Sequence, residues 1–268
     1  MENSKLSKIA KIIIGTTTSV IGLSLILLAY FLRDNVGKAW TYVMNIAGAI
    51  ILFVGICFIY SLIKKGDNKL NTKQMTLIAL MSSITVILYY FVKFNLPFFP
   101  PWLDIQVSEI PALITGFAYG PYAGCLVIFI RFIIKLPATI TAGVGELADL
   151  ILGFTLVIIT SMIYKKHRNI KGALFGTLIG IGVSTVLACV LNWLVLIPAY
   201  ITLAHFPLEA LVGMMNYIPN LTVTTENFML VYIFIGVLPF NLFRYVLVGG
   251  LTFLLYKKTH FLLSKIDK

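Results

Sequence analysis

The sequence predicts an all-α, polytopic membrane protein, and three observations carry that prediction. Of the 268 residues, 59% are hydrophobic and 12% are charged, and this charged fraction is about half that of a typical soluble domain. The apolar residues come in blocks of about 20, long enough to cross a hydrocarbon core ~30 Å thick as helices. The alternating segments of roughly ten residues that build a membrane barrel are not visible.

We expect eight transmembrane spans. The first two, about residues 12–32 and 39–63, form a two-helix extension over residues 1–65. A charged, flexible stretch at 64–73 separates the extension from a six-helix core, residues 74–268. The six core spans are expected at about residues 75–94, 107–119, 122–136, 144–164, 173–200 and 228–256.

The distribution of Lys and Arg predicts that both termini are cytoplasmic. Fifteen of the 21 Lys and Arg residues then fall on the inner side, as the positive-inside rule requires of a protein in the cell membrane. These clusters also explain the net charge of +11, because they meet anionic lipid head groups. No basic stripe carries interleaved aromatic residues, so the composition does not indicate nucleic-acid binding.

Two outer segments are unusual. Residues 95–106 contain three prolines, two Phe and a Trp, and proline excludes a regular helix there. Residues 205–227 are longer and end in a polar run. Each segment is either an interfacial loop anchored by aromatic side chains or a lid over a binding site, and the sequence leaves both possibilities open.

Two neighbouring spans, 107–119 and 122–136, look too short to cross the membrane comfortably. Only Gly120 and Pro121 connect them, which is the signal of a tight turn. Short or interrupted spans at membrane depth are a sequence indicator of a substrate site, because irregular backbone is tolerated there only where it is buried or lines a cavity.

Arg244 is the clearest ionisable group inside a span. Such a group costs at least ~2.5–3.5 kcal/mol on insertion scales, so its position needs an explanation. Asn241 lies three residues earlier, on the same helix face, and together the two side chains suit a carbonyl-rich or anionic ligand. The alternative is an internal ion pair with Glu109, Glu146 or Asp149.

Other polar groups at depth have two interpretations. The amide of Asn192 must be hydrogen-bonded, either to a neighbouring helix or to a ligand. Glu146 and Asp149 share one helix face, and Arg131 and Lys135 share another. These four charged residues either pair with one another or contribute to a binding site.

A membrane enzyme is the competing class. His167, His205 and His260 lie apart in loops or tails, and no nucleophile elbow, zinc-binding HExxH or phosphate-binding loop occurs. We therefore expect no catalytic residue, no catalytic cofactor and no metal site. A membrane enzyme or assembly subunit acting on a lipid or isoprenoid remains the alternative from outside the transporter class.

A series of short motifs follows in order along the six core spans. They are Pro97-Phe98-Phe99-Pro100-Pro101-Trp102-Leu103, Ser108-Glu109-Ile110-Pro111-Ala112-Leu113 with Gly116, Gly120-Pro121-Tyr122-Ala123-Gly124, Gly145-Glu146-Leu147-Ala148, Asn192 with Pro198 and Tyr200, and Asn241. From about residue 74 to the end, the chain thereby resembles the substrate-binding S component of energy-coupling factor (ECF) vitamin transporters, riboflavin type.

The resemblance implies a six-helix S component whose outward cavity holds a flavin beneath the first outer loop. Asn192 and Asn241 match positions that bond the flavin ring system. The full set of expected ligand-binding residues is Phe98, Phe99, Trp102, Leu103, Glu146, Asp149, Asn192, Asn241 and Arg244. Because S components share a fold with little sequence identity, another vitamin, for instance pantothenate, is a second possibility within the class.

The resemblance also implies partners, namely a membrane T component and two cytoplasmic ATPases. The T component docks on small residues of the first core helix, and Ala79 and Ser83 have the required spacing here. Nothing in residues 1–65 matches the usual S component, and their role is left open.

Three positions depart from the usual pattern. The family commonly has Lys at the position of Arg244, an acidic residue at Gln106 and Asn at Asp149. Because Arg binds phosphate in a bidentate manner better than Lys does, one hypothesis is that the ligand is a phosphorylated flavin such as FMN or FAD.

Overall fold

The computed structural model describes residues 71–97, 99–100, 103–139, 143–202, 206–215 and 222–266. The two spans expected in residues 1–65 lie outside this described part, as do Phe98 and Trp102. Contacts among the described residues group Asn71–Ala138 with Val144–Lys268 into one compact unit, and this unit contains every side chain of the candidate site described below.

The described chain is mostly helical, as the composition predicts. Its elements, in order, are α1 (Thr72–Phe91), β1 (Lys93–Phe94), β2 (Ile105–Gln106), α2 (Ile110–Tyr119), α3 (Pro121–Lys135) continued by the 3₁₀ turn Leu136–Ala138, α4 (Val144–Lys166), α5 (Ile170–Leu191) continued by the π-helical turn Asn192–Leu196 and α6 (Ile197–Thr202), α7 (Leu208–Met215), α8 (Phe228–Val231), the π-helical turn Tyr232–Val237, and α9 (Leu238–Ile266).

Five of the described segments are long and apolar enough to cross a membrane: Thr72–Phe91, Pro121–Ala138, Val144–Lys166, Ile170–Ile201 and Phe228–Tyr256. They correspond to five of the six expected core spans. The remaining span is represented by α2, whose ten residues extend only ~15 Å, about half of the hydrocarbon thickness. The eight-span count depends on residues 1–65 and stays a prediction.

The two spans expected to be short differ in the structure. The prediction holds for α2 but is wrong for its neighbour, because the 3₁₀ turn after α3 extends that segment to the 18 residues of Pro121–Ala138. Gly120 joins the two helices with a φ of 92°, a left-handed conformation that favours glycine. The tight turn predicted from Gly120 and Pro121 is therefore present.

Helices of this unit make close contacts at glycine residues. A Cβ on Gly124 would lie 2.6 Å from a side-chain carbon of Val157, and one on Gly180 would lie 2.5 Å from the hydroxyl of Thr160. Glycine at these two positions allows α4 to approach both α3 and α5. Toward the expected cytoplasmic end, Phe117, Tyr164 and Tyr256 pack edge to face with ring centroids 4.8–5.7 Å apart.

Both π-helical turns precede a proline. A proline inside a helix clashes with the carbonyl four residues earlier, and that carbonyl belongs to Leu194 for Pro198 and to Ile235 for Pro239. Each of these carbonyls lies within a π-helical turn, where the wider helix relieves the clash. Such bulges are frequent at functional sites, and here the two turns contact each other across the bundle.

The first outer loop is closed at its base by a minimal hairpin. Lys93 pairs with Gln106 and Phe94 with Ile105 in antiparallel register. The described part of this segment contains no helix, as its prolines predict. The second outer segment contains α7, whose Leu211 and Met215 are buried in the core.

Candidate ligand-binding site

Asp149 is the centre of a buried network of charged and polar side chains. Its Oδ2 accepts from Arg131 Nη2 and from Lys135 Nζ, each at 2.8 Å. Its Oδ1 accepts from Arg244 Nη2 at 3.2 Å and from Gln106 Nε2 at 3.4 Å. A carboxylate offers about four lone-pair positions, so these four donors occupy the acceptor capacity of Asp149.

Glu109 is the second carboxylate of the network and is 1% exposed. Its Oε1 accepts from Arg244 Nη2 and lies 3.4 Å from Arg131 Nη1. It is the N-terminal flanking residue of α2, where the positive end of the helix dipole favours a negative charge. Arg131 Nη1 also donates to the hydroxyl of Ser108.

The network joins helices that are distant in sequence. Glu109 precedes α2, Arg131 and Lys135 belong to α3, Asp149 to α4 and Arg244 to α9. Removing one partner of a buried ion pair typically costs roughly 3–5 kcal/mol, since the other charge is left uncompensated. The network therefore fixes these four helices relative to one another.

Arg244 and Asn241 share a buried face of α9, at 6% and 4% exposure. The Nδ2 of Asn241 donates to Val237 O at 2.9 Å, within its own helix. Of the two interpretations left open for Arg244, the structure shows the internal ion pair, with Glu109 and Asp149 as the partners. Within the described part, Arg244 Nε is buried without a hydrogen-bond partner.

Asn192 begins the first π-helical turn and contacts the last span. Its Nδ2 donates to Ala188 O, and its Oδ1 accepts from the Tyr232 hydroxyl, both at 2.8 Å. Of the two interpretations left open for Asn192, the structure shows the hydrogen bond to a neighbouring helix. Tyr232 lies in the second π-helical turn, so the two irregular turns are joined through a polar contact at membrane depth.

The first outer loop covers the same part of the last span. The ring of Phe99 packs edge to face on Phe240, with centroids 5.3 Å apart, next to Asn241. Pro100 lies beside Gly236, where an added Cβ would come within 3.5 Å of the proline ring. Leu103 is half-buried and its N–H donates to Pro100 O at 2.9 Å.

Glu146 lies one turn before Asp149 on α4 and is half-buried. It is close enough to Tyr200 and Tyr89 for its charge to act on both phenols. Five of the expected site residues thus meet at the last span, directly or through one intermediate side chain: Phe99, Asp149, Asn192, Asn241 and Arg244. Glu146 and Leu103 lie at the periphery of this group.

Sequence reasoning did not identify three contributors. Tyr232 was hidden in an apolar run, and only the fold brings it to Asn192. The amide of Gln106 was noted as a departure from the family but not as a contact of Asp149. Tyr89 carries Lys135 Nζ 4.0 Å above its ring. Among the described residues, no group of three or more His, Cys, Asp or Glu is placed to hold a metal ion.

A bundle of apolar helices with a buried polar cluster beneath an aromatic outer loop defines a membrane-embedded protein that binds a small molecule. The chain belongs to the family of ECF transporter substrate-specific components, whose family model matches residues 73–256. The protein is therefore a multi-pass membrane component of a transporter rather than an enzyme, and the resemblance stated from the motifs is confirmed.

Similar proteins match the core over nearly their whole lengths. The riboflavin transporter RibU of Staphylococcus aureus (strain TCH60) is 29% identical over 204 residues, which are 75% of this chain and 99% of that protein. The riboflavin transporter FmnP of Bacillus subtilis (strain 168) is 27% identical over 192 residues, covering 70% and 93%.

A solved structure described as the S component of a bacterial ECF transporter is also similar. It aligns with a TM-score of 0.56 and 28% identity, over 71% of this chain and 97% of that one. The likeness supports the S-component fold for the core of this chain.

Proposed function

We propose that this protein is the flavin-binding S component of an ECF transporter in the cytoplasmic membrane of a bacterium, and that riboflavin is its ligand. The observation that carries the proposal is the convergence at the last span, where Asn241 and Arg244 share a buried face beneath Phe99 and Asn192 is joined to the same span through Tyr232. The similarity to proteins named riboflavin transporters supports the choice of ligand.

The chemistry of this face suits a flavin ring. One edge of the ring carries carbonyl oxygens and ring nitrogens, and an Asn amide offers both a donor and an acceptor to such an edge. Asn192 and Asn241 each donate one amide hydrogen to a backbone carbonyl. The second amide hydrogen of each side chain can donate to a ligand. We assign the apolar edge of the flavin to the aromatic loop, to which Phe98, Phe99, Trp102 and Leu103 belong.

Transport requires partners that supply energy. We propose that a membrane T component and two cytoplasmic ATPases act with this chain, and that the T component docks on α1 at Ala79 and Ser83. Both residues are exposed, and the Ser83 hydroxyl donates to Ala79 O at 3.0 Å. The hydroxyl is therefore satisfied within the helix and does not oppose an apolar partner.

Docking is tested by Ala79→Leu. The bulkier side chain should block a close helix contact, so riboflavin uptake by cells that also express the T component and ATPases should fall at least about tenfold while riboflavin binding by the purified chain is retained. Ile87→Leu, which changes shape but not volume at another exposed position of α1, is the control. Unchanged uptake by Ala79→Leu would rule out this docking surface.

We further propose that residues 1–65 are a separate two-helix transmembrane extension and that residues 74–268 are the complete ligand-binding core. The match to 99% of the Staphylococcus aureus protein by 75% of this chain supports this division, as does the family match that begins at residue 73.

The ligand is tested by purification. Protein isolated from cells grown with riboflavin should be yellow and show flavin fluorescence, and riboflavin should raise its melting temperature. Pantothenate is the comparison vitamin, and it should leave the melting temperature unchanged. If the protein is colourless and only pantothenate raises its melting temperature, pantothenate is the ligand and riboflavin is not.

A further inference from the structure

Arg244 is already bound to two carboxylates inside the protein. Its Nη2 donates to Glu109 Oε1 and to Asp149 Oδ1, and that nitrogen carries only two hydrogens. A guanidinium binds phosphate bidentately through its Nη1 and Nη2 or through its Nε and Nη2. Since Nη2 belongs to both edges, neither bidentate edge of Arg244 is open to a ligand phosphate.

The other cations near the first outer loop are also paired with carboxylates. In the described part of the chain, the loop end of the bundle contains Lys93, Arg131, Lys135 and Arg244, and each lies within 3.8 Å of a carboxylate oxygen. Glu109 and Asp149 are the two carboxylates that the three buried cations contact. A phosphate next to Arg244 would also face these two carboxylates at low dielectric, where charge repulsion is strong.

Arg244 retains the hydrogens of Nε and Nη1, which do not form a bidentate pair without Nη2. Its Nε is buried and unbonded within the described residues, and one N–H suits a neutral carbonyl or hydroxyl oxygen. On the basis of the proposed function, we infer that Glu109 and Asp149 are specificity-determining residues. By occupying Nη2 of Arg244 they make the site select an uncharged flavin, riboflavin, over its 5′-phosphorylated forms.

This inference reverses the expectation drawn from Arg244 alone. A free Arg in place of Lys favours a phosphorylated ligand, whereas an Arg bound by two carboxylates does not. Asp149 then acts on the ligand through Arg244 and is a positioning residue, because its own acceptor positions are filled by protein donors.

The test compares the dissociation constants of riboflavin and FMN for the purified full chain. The wild type should bind riboflavin more tightly. Asp149→Asn removes one neutralising charge and frees one hydrogen of Nη2, so the ratio of the FMN to the riboflavin constant should fall about tenfold or more. Glu109→Gln should lower the ratio in the same direction and serves if Asp149→Asn does not fold.

Two further variants separate charge from general damage. Gln106→Glu combined with Asp149→Asn moves the carboxylate across a 3.4 Å contact and should restore the wild-type ratio. Asp104→Asn removes an exposed carboxylate from the loop, outside the cluster, and should leave the ratio unchanged. A folding defect weakens the binding of both flavins equally and does not change the ratio of their dissociation constants.

A wild type that binds FMN as tightly as riboflavin would overturn the inference, as would an unchanged ratio in both single variants. A wild type that binds neither flavin would refute the proposed function itself, and these two failures are therefore distinguishable.

Discussion

At the residue scale, the orientation of Asn192 depends on the Tyr232 hydroxyl, which comes from a helix 40 residues away in sequence. The amide oxygen of Asn192 is buried, and a buried acceptor that loses its donor costs about 1–3 kcal/mol. The other side of the amide is held by the backbone of its own helix. The hydroxyl therefore decides which way the amide presents its polar atoms.

Tyr232→Phe tests this role. Loss of the hydrogen bond should raise the dissociation constant of riboflavin about five- to tenfold, on the order of 1 kcal/mol, as measured by quenching of flavin fluorescence. Tyr245→Phe is the matched control, because its buried hydroxyl has no hydrogen-bond partner within the described part of the chain. Equal effects of the two substitutions on riboflavin affinity would show that Tyr232 does not contribute to the site through this hydrogen bond.

At the element scale, the two π-helical turns place the polar residues of the fifth and last core spans. Each extra residue of a π-helical turn rotates the helix before it by about 100° relative to the helix after it. The turn Tyr232–Val237 thus sets the direction of Tyr232 relative to Asn241 and Arg244. Pro239 is the residue that makes an ordinary α-helical turn unfavourable at this place.

Pro239→Ala should let this turn relax to an α-helix. Because proline inside a helix costs ~3 kcal/mol, we expect the melting temperature of the ligand-free protein to stay the same or rise while riboflavin affinity falls at least about tenfold. Thermal denaturation and flavin titration of the same sample measure both effects. Pro121→Ala, at the first turn of α3 where proline is tolerated, should change neither. Retained affinity in Pro239→Ala would show that the π-helical turn is not needed for binding.

At the scale of the whole molecule, the chain is expected to divide at residues 64–73. A protease site inserted at residues 66–70 of the full-length protein tests this division. Cleavage should leave riboflavin affinity within about twofold of the uncut value, since every described contact of the candidate site lies between residues 89 and 244. Loss of binding on cleavage would assign residues 1–65 a part in the site.

Much of this architecture could be predicted from the sequence. Blocks of apolar residues locate the core spans because the bilayer imposes both length and composition. An internal ion pair was one of the two interpretations for Arg244 and for Asp149, because a charge in the membrane needs a partner.

The remaining features depend on tertiary contacts. Helix α7 lies in a segment with prolines and a polar run, and burial of Leu211 and Met215 stabilises it. Each π-helical turn precedes a proline, Pro198 or Pro239. A proline inside a helix can also kink or end it, so the local pattern does not specify a π-helical turn. The contact of Tyr232 with Asn192 links two helices, and their relative rotation cannot be predicted from the spacing of residues in the sequence.

The measurement that tests the central claim most directly is a titration of riboflavin with the purified full-length protein, followed by quenching of flavin fluorescence. We expect saturable quenching with one flavin per chain, weakened by Asn241→Ala, whose amide lies on the buried face beside Arg244. Quenching that increases linearly without saturation, or that is the same for Asn241→Ala, would contradict a flavin site at the last span.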